Sequence, residues 1–317
     1  MSYGQYQTIA ATDFNTLVGT NPTTTANTLN TVWSTGGTTA GYGQTAVPTV
    51  GSGNLVYAAD WANLVNKTAN SASHQGTSIS SVTAPVSGGN ITYLSAIPTN
   101  LNSIYNSRLN AAIQGTGFAN SANRISTWSN NLVATLTATF ANGDAARYFF
   151  NSGGQLKLQF SHPTGSTIDN SLNALATACG TVAISAPTSG TITISSTSYN
   201  GVTKIGGSGT PANLTTNAGY YSYSTANVLI FKQLVASAPA GYTNTNININ
   251  VKTNGTQGSN GDAGSVITIY CQWAELSSTG LTASAGSNSI LTVVPPESSN
   301  IANTWGTITT SAVVTGT

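Results

Sequence analysis

Four stretches of this chain alternate apolar and polar residues with a period of two. Leu136, Ala138 and Phe140 alternate with Thr135, Thr137 and Thr139; Leu156, Leu158 and Phe160 with Gln155, Lys157 and Gln159. Ile247, Ile249 and Val251 alternate with Asn246, Asn248 and Asn250; Ile267, Ile269, Cys271 and Trp273 with Thr268, Tyr270 and Gln272. Successive side chains of an extended strand point to opposite faces, so each stretch predicts a strand with one buried and one wetted side. A helix would scatter the same apolar residues around its circumference. Further strands are predicted at 181–185, 191–196, 220–224, 228–235, 290–294 and 305–311, separated by Gly, Pro, Asn and Ser clusters. Many short strands in series with such turns indicate an antiparallel sandwich or barrel. Residues 168–178 interrupt the series: Asp169, Asn170 and Ser171 precede Leu172-Asn173-Ala174-Leu175-Ala176, which predicts a short helix over one edge or end of the sheets.

The first part of the chain has a different period. Thr12-Asp13-Phe14-Asn15-Thr16-Leu17-Val18 offers a capping Thr, an acidic first turn and an apolar face, and Ala59-Asp60-Trp61-Ala62-Asn63-Leu64-Val65 repeats it 47 residues later (60 − 13). A Gly-rich turn around Gly41-Tyr42-Gly43-Gln44 follows the first copy, so the pair reads as a degenerate duplication of a helix–loop unit. Between Pro98 and Gln114, Leu101, Ile104, Tyr105, Leu109, Ala112 and Ile113 form one apolar stripe at helical spacing, and a second short helix is predicted at 122–131. The expected fold class is therefore α+β, mainly β: a helical, loop-rich anchoring region at 1–131 and an antiparallel β-sandwich at 132–317.

Charge narrows the function. Lys, Arg, Asp and Glu make up 5% of the 317 residues, against about 25% in an average soluble protein, and the net charge is +1. The polar residues are Thr, Ser, Asn, Gln and Gly, which suits a chain packed into an assembly, where low net charge carries no solubility cost. Lys67, Arg108, Arg124, Arg147, Lys157, Lys204, Lys232 and Lys252 stand singly, so no basic patch for nucleic acid is expected. No apolar run is long enough to span a bilayer, and Met1-Ser2-Tyr3-Gly4-Gln5 is not expected to open a secretory signal. Cys179 and Cys271 could join in one long-range disulfide; buried free thiols are the expected outcome.

The segment from Thr139 to Leu156, with Arg147-Tyr148-Phe149-Phe150-Asn151-Ser152-Gly153-Gly154 at its centre, resembles a module of virion structural proteins of tailed bacteriophages, notably cyanophages. The N-terminal Ile9-Ala10-Ala11-Thr12-Asp13-Phe14-Asn15 pattern and the Gly41–Gln44 turn are similar to segments of the same proteins. The resemblance implies a component of the tail, neck (collar) or fibre type, located in the virion, whose partners are other virion proteins and copies of itself. Capsid decoration and a receptor- or host-glycan-binding adhesin are the alternatives. Arg147, Tyr148, Phe149, Phe150, Asn151, Gly153 and Gly154 are the candidate interface or structural residues. Their local reading is a tight hairpin at Asn151–Gly154, Phe149 and Phe150 on opposite faces of a strand, and Arg147 as a solvated turn residue or as a partner of Asp144 or of another subunit.

No catalytic, cofactor or metal site is expected. His74 in a Ser/Asn/Gln loop and His162 in a turn before Pro163 lack a neighbour at ligand spacing. Asp13, Asp60 and Asp169 fit helix starts, and Asp144 and Asp262 fit turns. Glu275 and Glu297 are left as the acids of a depolymerase, the least favoured reading. The loops at 206–209 and 255–264 lack the context of a phosphate loop; a hairpin is favoured over a Ca²⁺ site at Asp262. Tyr220, Tyr221, Tyr223 and Tyr242 are either a glycan-stacking surface or core.

Overall fold

The computed structural model describes residues 11–19, 27–37, 39–87, 96–235, 244–255, 264–274 and 282–316. These form α1 (Ala11–Val18), α2 (Leu29–Trp33), α3 (Ala58–Gln75) and α4 (Ala96–Asn106), then β1 (Phe118–Asn123), β2 (Trp128–Ser129) and β3 (Asn131–Thr139). α5 (Gly143–Asn151), β4 (Gln155–Ser161), α6 (Thr167–Cys179) and β5 (Thr181–Ile184) follow, then β6 (Ile192–Ile194), β7 (Thr197–Tyr199), β8 (Val202–Ile205) and β9 (Asn213–Leu214). A 3₁₀ turn at Tyr220–Ser222 precedes β10 (Val228–Leu234), β11 (Asn246–Thr253), β12 (Val266–Ala274), β13 (Thr282–Ala283), β14 (Asn288–Val294) and β15 (Thr309–Gly316). The fold is α+β and mainly β.

All four alternating stretches fall on strands and their apolar members are buried; among the polar members only Gln155 and Asn246, each at a strand start, are buried as well. They are divided between two antiparallel sheets, β1-β14-β4-β5-β8 and β15-β3-β12-β11-β10-β9. Trp273 of β12 meets Phe160 of β4 edge-on at 5.8 Å and donates from Nε1 to Ser289 Oγ, one residue into β14, at 3.0 Å. The predicted short helix is α6, which packs on β4 of one sheet and on β10 and β11 of the other. The predicted strand at 220–224 is absent, its first three residues forming the 3₁₀ turn Tyr220–Ser222, and β15 begins at Thr309, later than the predicted 305.

The repeated heptad folds twice into the same thing. Phe14, Leu17 and Val18 of α1 and Trp61, Leu64 and Val65 of α3 are buried at equivalent positions, and Phe14 packs edge-on against Trp61 at 5.3 Å. α4 ends at Asn106, short of the predicted Gln114, because the backbone beyond it is recruited elsewhere. Ala111 exchanges hydrogen bonds with Thr193 O and Ser195 N beside β6, and Ala112 N donates to His74 O. The helix predicted at 122–131 is absent: the segment is the end of β1, β2 and the start of β3, with β1 held in register on β14 from Phe118↔Val293 to Asn123↔Asn288.

Side-chain amides do the long-range clamping that charges do elsewhere. Asn15 accepts from Val50 N and donates to Val50 O; Asn30 does the same with Val47, and Asn100 with Ser80. Gln44 pairs likewise with Ala302, 258 residues away. Each amide copies the two-bond exchange of an antiparallel residue pair without a charge to desolvate. One continuous apolar cluster includes Phe14, Trp61, Leu101, Phe149 and Trp273, so the helices and both sheets share a core.

Candidate functional site

The segment 142–154 is a helix followed by a turn, which corrects the hairpin reading. Asn142 is the N-cap of α5, its side chain accepting from Ala145 N at 2.8 Å, and Asp144 lies in the first turn. Phe149 and Phe150 therefore sit 100° apart on a helix instead of on opposite faces of a strand. Both are fully buried: Phe149 meets Phe140 at 5.2 Å, and Phe150 stacks on Tyr220 at 4.3 Å.

Arg147 has no exposed surface, which overturns its reading as a solvated turn residue. Its Nη2 and Nε donate to Asp144 Oδ1 at 3.0 and 3.2 Å, and its Nη1 donates to Ala40 O at 2.8 Å. The guanidinium lies 4.8 Å from the centre of the Tyr148 ring. Tyr148 in turn lies against Gly43, where a Cβ would come within 2.4 Å of the ring. Asn151 donates to Gly41 O at 3.1 Å and accepts from Tyr221 OH. Gly153 has φ +86° and would place a Cβ 2.5 Å from that of Ala111; a Cβ on Gly154 would strike the Phe149 ring. The motif thus joins the 40–43 turn, the segment after α4 and the sheet core.

His162 lies in the turn before Pro163, as expected, but His74 lies in a helix and not in a loop. His74 is buried within α3 and donates from Nε2 to Ser152 O at 3.1 Å; burial pushes its pKa down to about 4. His162 lies between Ser287 Oγ, 2.8 Å from Nδ1, and Asp169 Oδ1, 3.0 Å from Nε2. Asp169 also accepts from the backbone N and the hydroxyl of both Ser166 and Ser284. Although burial opposes ionisation, these donors together hold its carboxyl well below the usual range. Sequence reasoning found Asp169 as a helix start but missed the His162 pairing, because only the turn at Pro163 and the entry into α6 bring the two together.

A serine, a histidine and an aspartate in line resemble a nucleophilic relay. Here Ser287 has no exposed surface, its hydroxyl accepts from Trp128 Nε1 at 2.8 Å, and none of the three lines the cavities of ≈ 390, ≈ 450 and ≈ 410 Å³. The arrangement fastens the start of α6 to the segment between β13 and β14.

The other candidates are placed as follows. Asp60 caps α3 by accepting from Tyr57 N, and Glu297 accepts from Ser299 N and Oγ at 2.7 and 2.6 Å. Tyr220 and Tyr223 are buried and Tyr221 is partly so; they do not form an exposed stacking surface. Asp262, Tyr242, Glu275 and most of the 255–264 loop lie outside the described residues. Cys179 and Cys271 are buried free thiols, the former pushed up to about 12 by burial. Among the described residues, no group of three or more His, Cys, Asp or Glu side chains could hold a metal, and no helix is long and apolar enough to cross a membrane. No protein-family model matches the chain, and no curated protein or solved structure matches it.

Proposed function

We propose that this chain is a structural subunit of a tailed-phage particle, of the tail, neck or fibre type, working through subunit packing and not through catalysis. The observation that carries the reading is the Arg147–Gly154 motif. The residues that resemble a virion module are those that fasten the N-terminal turn and helices to the sheets, with a buried arginine, two buried phenylalanines and two sterically required glycines. Mass spectrometry and cryo-microscopy of purified particles test it: the chain is expected at stoichiometric copy number in an ordered position, and its absence from particles overturns the reading. A position on the capsid surface would favour the decoration variant.

A second reading, glycan binding, has one observation in its favour. Tyr270 is half-buried on the outer face of the six-stranded sheet, opposite Asn250 and Thr135, with Lys252 Nζ 5.5 Å from its ring centre. An aromatic ring among amides and hydroxyls suits a sugar face. Inhibition of adsorption by the isolated chain, lost in Tyr270→Ala, is the expected sign.

A further inference from the structure

A groove and a knob lie at opposite ends of β1. The groove, ≈ 450 Å³, opens where β1 begins and is lined by Phe118, Pro295, Pro296 and Trp305, with Glu297 as the one charged side chain among the lining residues. Phe118 remains 41% exposed there. The Glu297 carboxylate is fixed by Ser299 N and Oγ, so it presents a set anionic edge. The volume falls within the ~300–1,000 Å³ range of pockets that accept side chains or small molecules.

The knob is the turn after β1. Ile125 is 86% exposed, the most exposed large apolar side chain among the described residues. Its base is pinned, since Arg124 N donates to Ser287 O and Gly286 N donates to Arg124 O. The Arg124 side chain makes one long hydrogen bond, Nη2 to Thr127 O at 3.5 Å, and no ion pair among the described residues. The tip therefore sets an exposed isoleucine beside a half-buried cation, and the groove sets Phe118, Pro295, Pro296 and Trp305 beside one carboxylate, among the polar side chains of Thr116, Ser298, Asn303 and Thr307.

One copy cannot satisfy both. The six residues of β1, at ~3.3 Å each, hold knob and groove roughly 20 Å apart. The geometry points to a head-to-tail contact in which the Arg124–Ile125 tip of one copy of this chain seats in the Phe118–Pro295–Trp305 groove of the next, with Arg124 facing Glu297. The contact joins two different surfaces, so it repeats into a ring or a filament instead of closing a two-fold dimer. It rests on the assembly reading above and names the partner as another copy.

Sedimentation of the full chain across a concentration series, at low and high NaCl, tests it. The wild type is expected to self-associate, less so at high salt. Ile125→Asp, Arg124→Glu and Glu297→Arg are each expected to weaken association, Ile125→Asp by about 10- to 100-fold. The double variant Arg124→Glu/Glu297→Arg is expected to recover most of the loss. Ile125 is too exposed for its replacement to unfold the chain, and an unchanged thermal midpoint checks this. A wild type that stays monomeric, an Ile125→Asp variant that associates like the wild type, or a double variant no better than either charge reversal overturns the contact. If the chain is present in particles while Ile125→Asp associates normally, the contact falls and the assembly reading stands. If the chain is absent from particles while Ile125→Asp abolishes association, the reverse holds.

Discussion

Arg147 shows how much one charge can matter in a chain with so few. Its guanidinium is taken wholly out of water, and its partners include a carboxylate oxygen of Asp144, the Ala40 carbonyl and the Tyr148 face. Truncating one partner of such a pair strands the rest, so Arg147→Met is expected to lower the urea-derived unfolding free energy by about 3 kcal/mol. Arg147→Lys should rescue little, because an ammonium cannot reproduce the planar fork. Two buried groups also set separate acid windows. His74 is neutral in the fold, with its pKa lowered to about 4, whereas the unfolded chain binds that proton near 6.5. Stability from this residue is present above about pH 6.5 and is lost as pH falls toward 4, by roughly 3 kcal/mol in total. Asp169 is ionised in the fold below the pH at which the unfolded carboxyl protonates. Its contribution is present above about pH 3.9 and is lost as pH falls further. Urea midpoints measured from pH 7 to 2.5 should fall in both windows, with His74→Gln flattening the upper one alone.

At the scale of elements, the sheets were legible and α5 was not. Period-two alternation survives in β3, β4, β11 and β12 because each buries one face on the shared core, so the pattern and the outcome have one cause. α5 is only nine residues long; its polar members Asp144, Arg147, Tyr148 and Asn151 do fall at helical spacing, but the stripe spans two turns and includes the buried Arg147 and Asn151. Its aromatic pair followed by Asn-Ser-Gly-Gly imitates a hairpin; the signal present was Asn142 at capping distance from Ala145. The fastening of His162 and Asp169 to Ser287 was illegible for another reason, since 125 residues separate His162 from Ser287 and no local pattern spans that gap. Two substitutions grade the motif. Asn142→Ala removes a cap and should cost about 1 kcal/mol. Gly153→Ala meets both a positive φ and the Cβ of Ala111 at 2.5 Å and should cost about 2 kcal/mol or more. Gly37→Ala, with open space around it and no positive φ, is the control and should be neutral or slightly stabilising in the same denaturation assay.

At the scale of the whole molecule, the continuous apolar cluster predicts a single cooperative transition, with far-ultraviolet dichroism and tryptophan fluorescence giving coincident urea curves. Two separated transitions would mean that the helices and sheets unfold independently despite their common core. Thermal midpoints should move by less than about 3 °C between 0.05 and 0.5 M NaCl, because the ion pairs among the described residues have buried partners that salt screens little. The amides that bind Val50, Val47, Ser80 and Ala302 have a consequence of another kind. An amide is indifferent to acid and salt, but it is not permanent: slow hydrolysis turns its donor end into an oxygen, which would then face a backbone carbonyl it can only repel. A long-lived fold built on such clamps would age by deamidation, one clasp at a time, and mass gains of about one dalton at Asn15, Asn30 or Asn100 would date it.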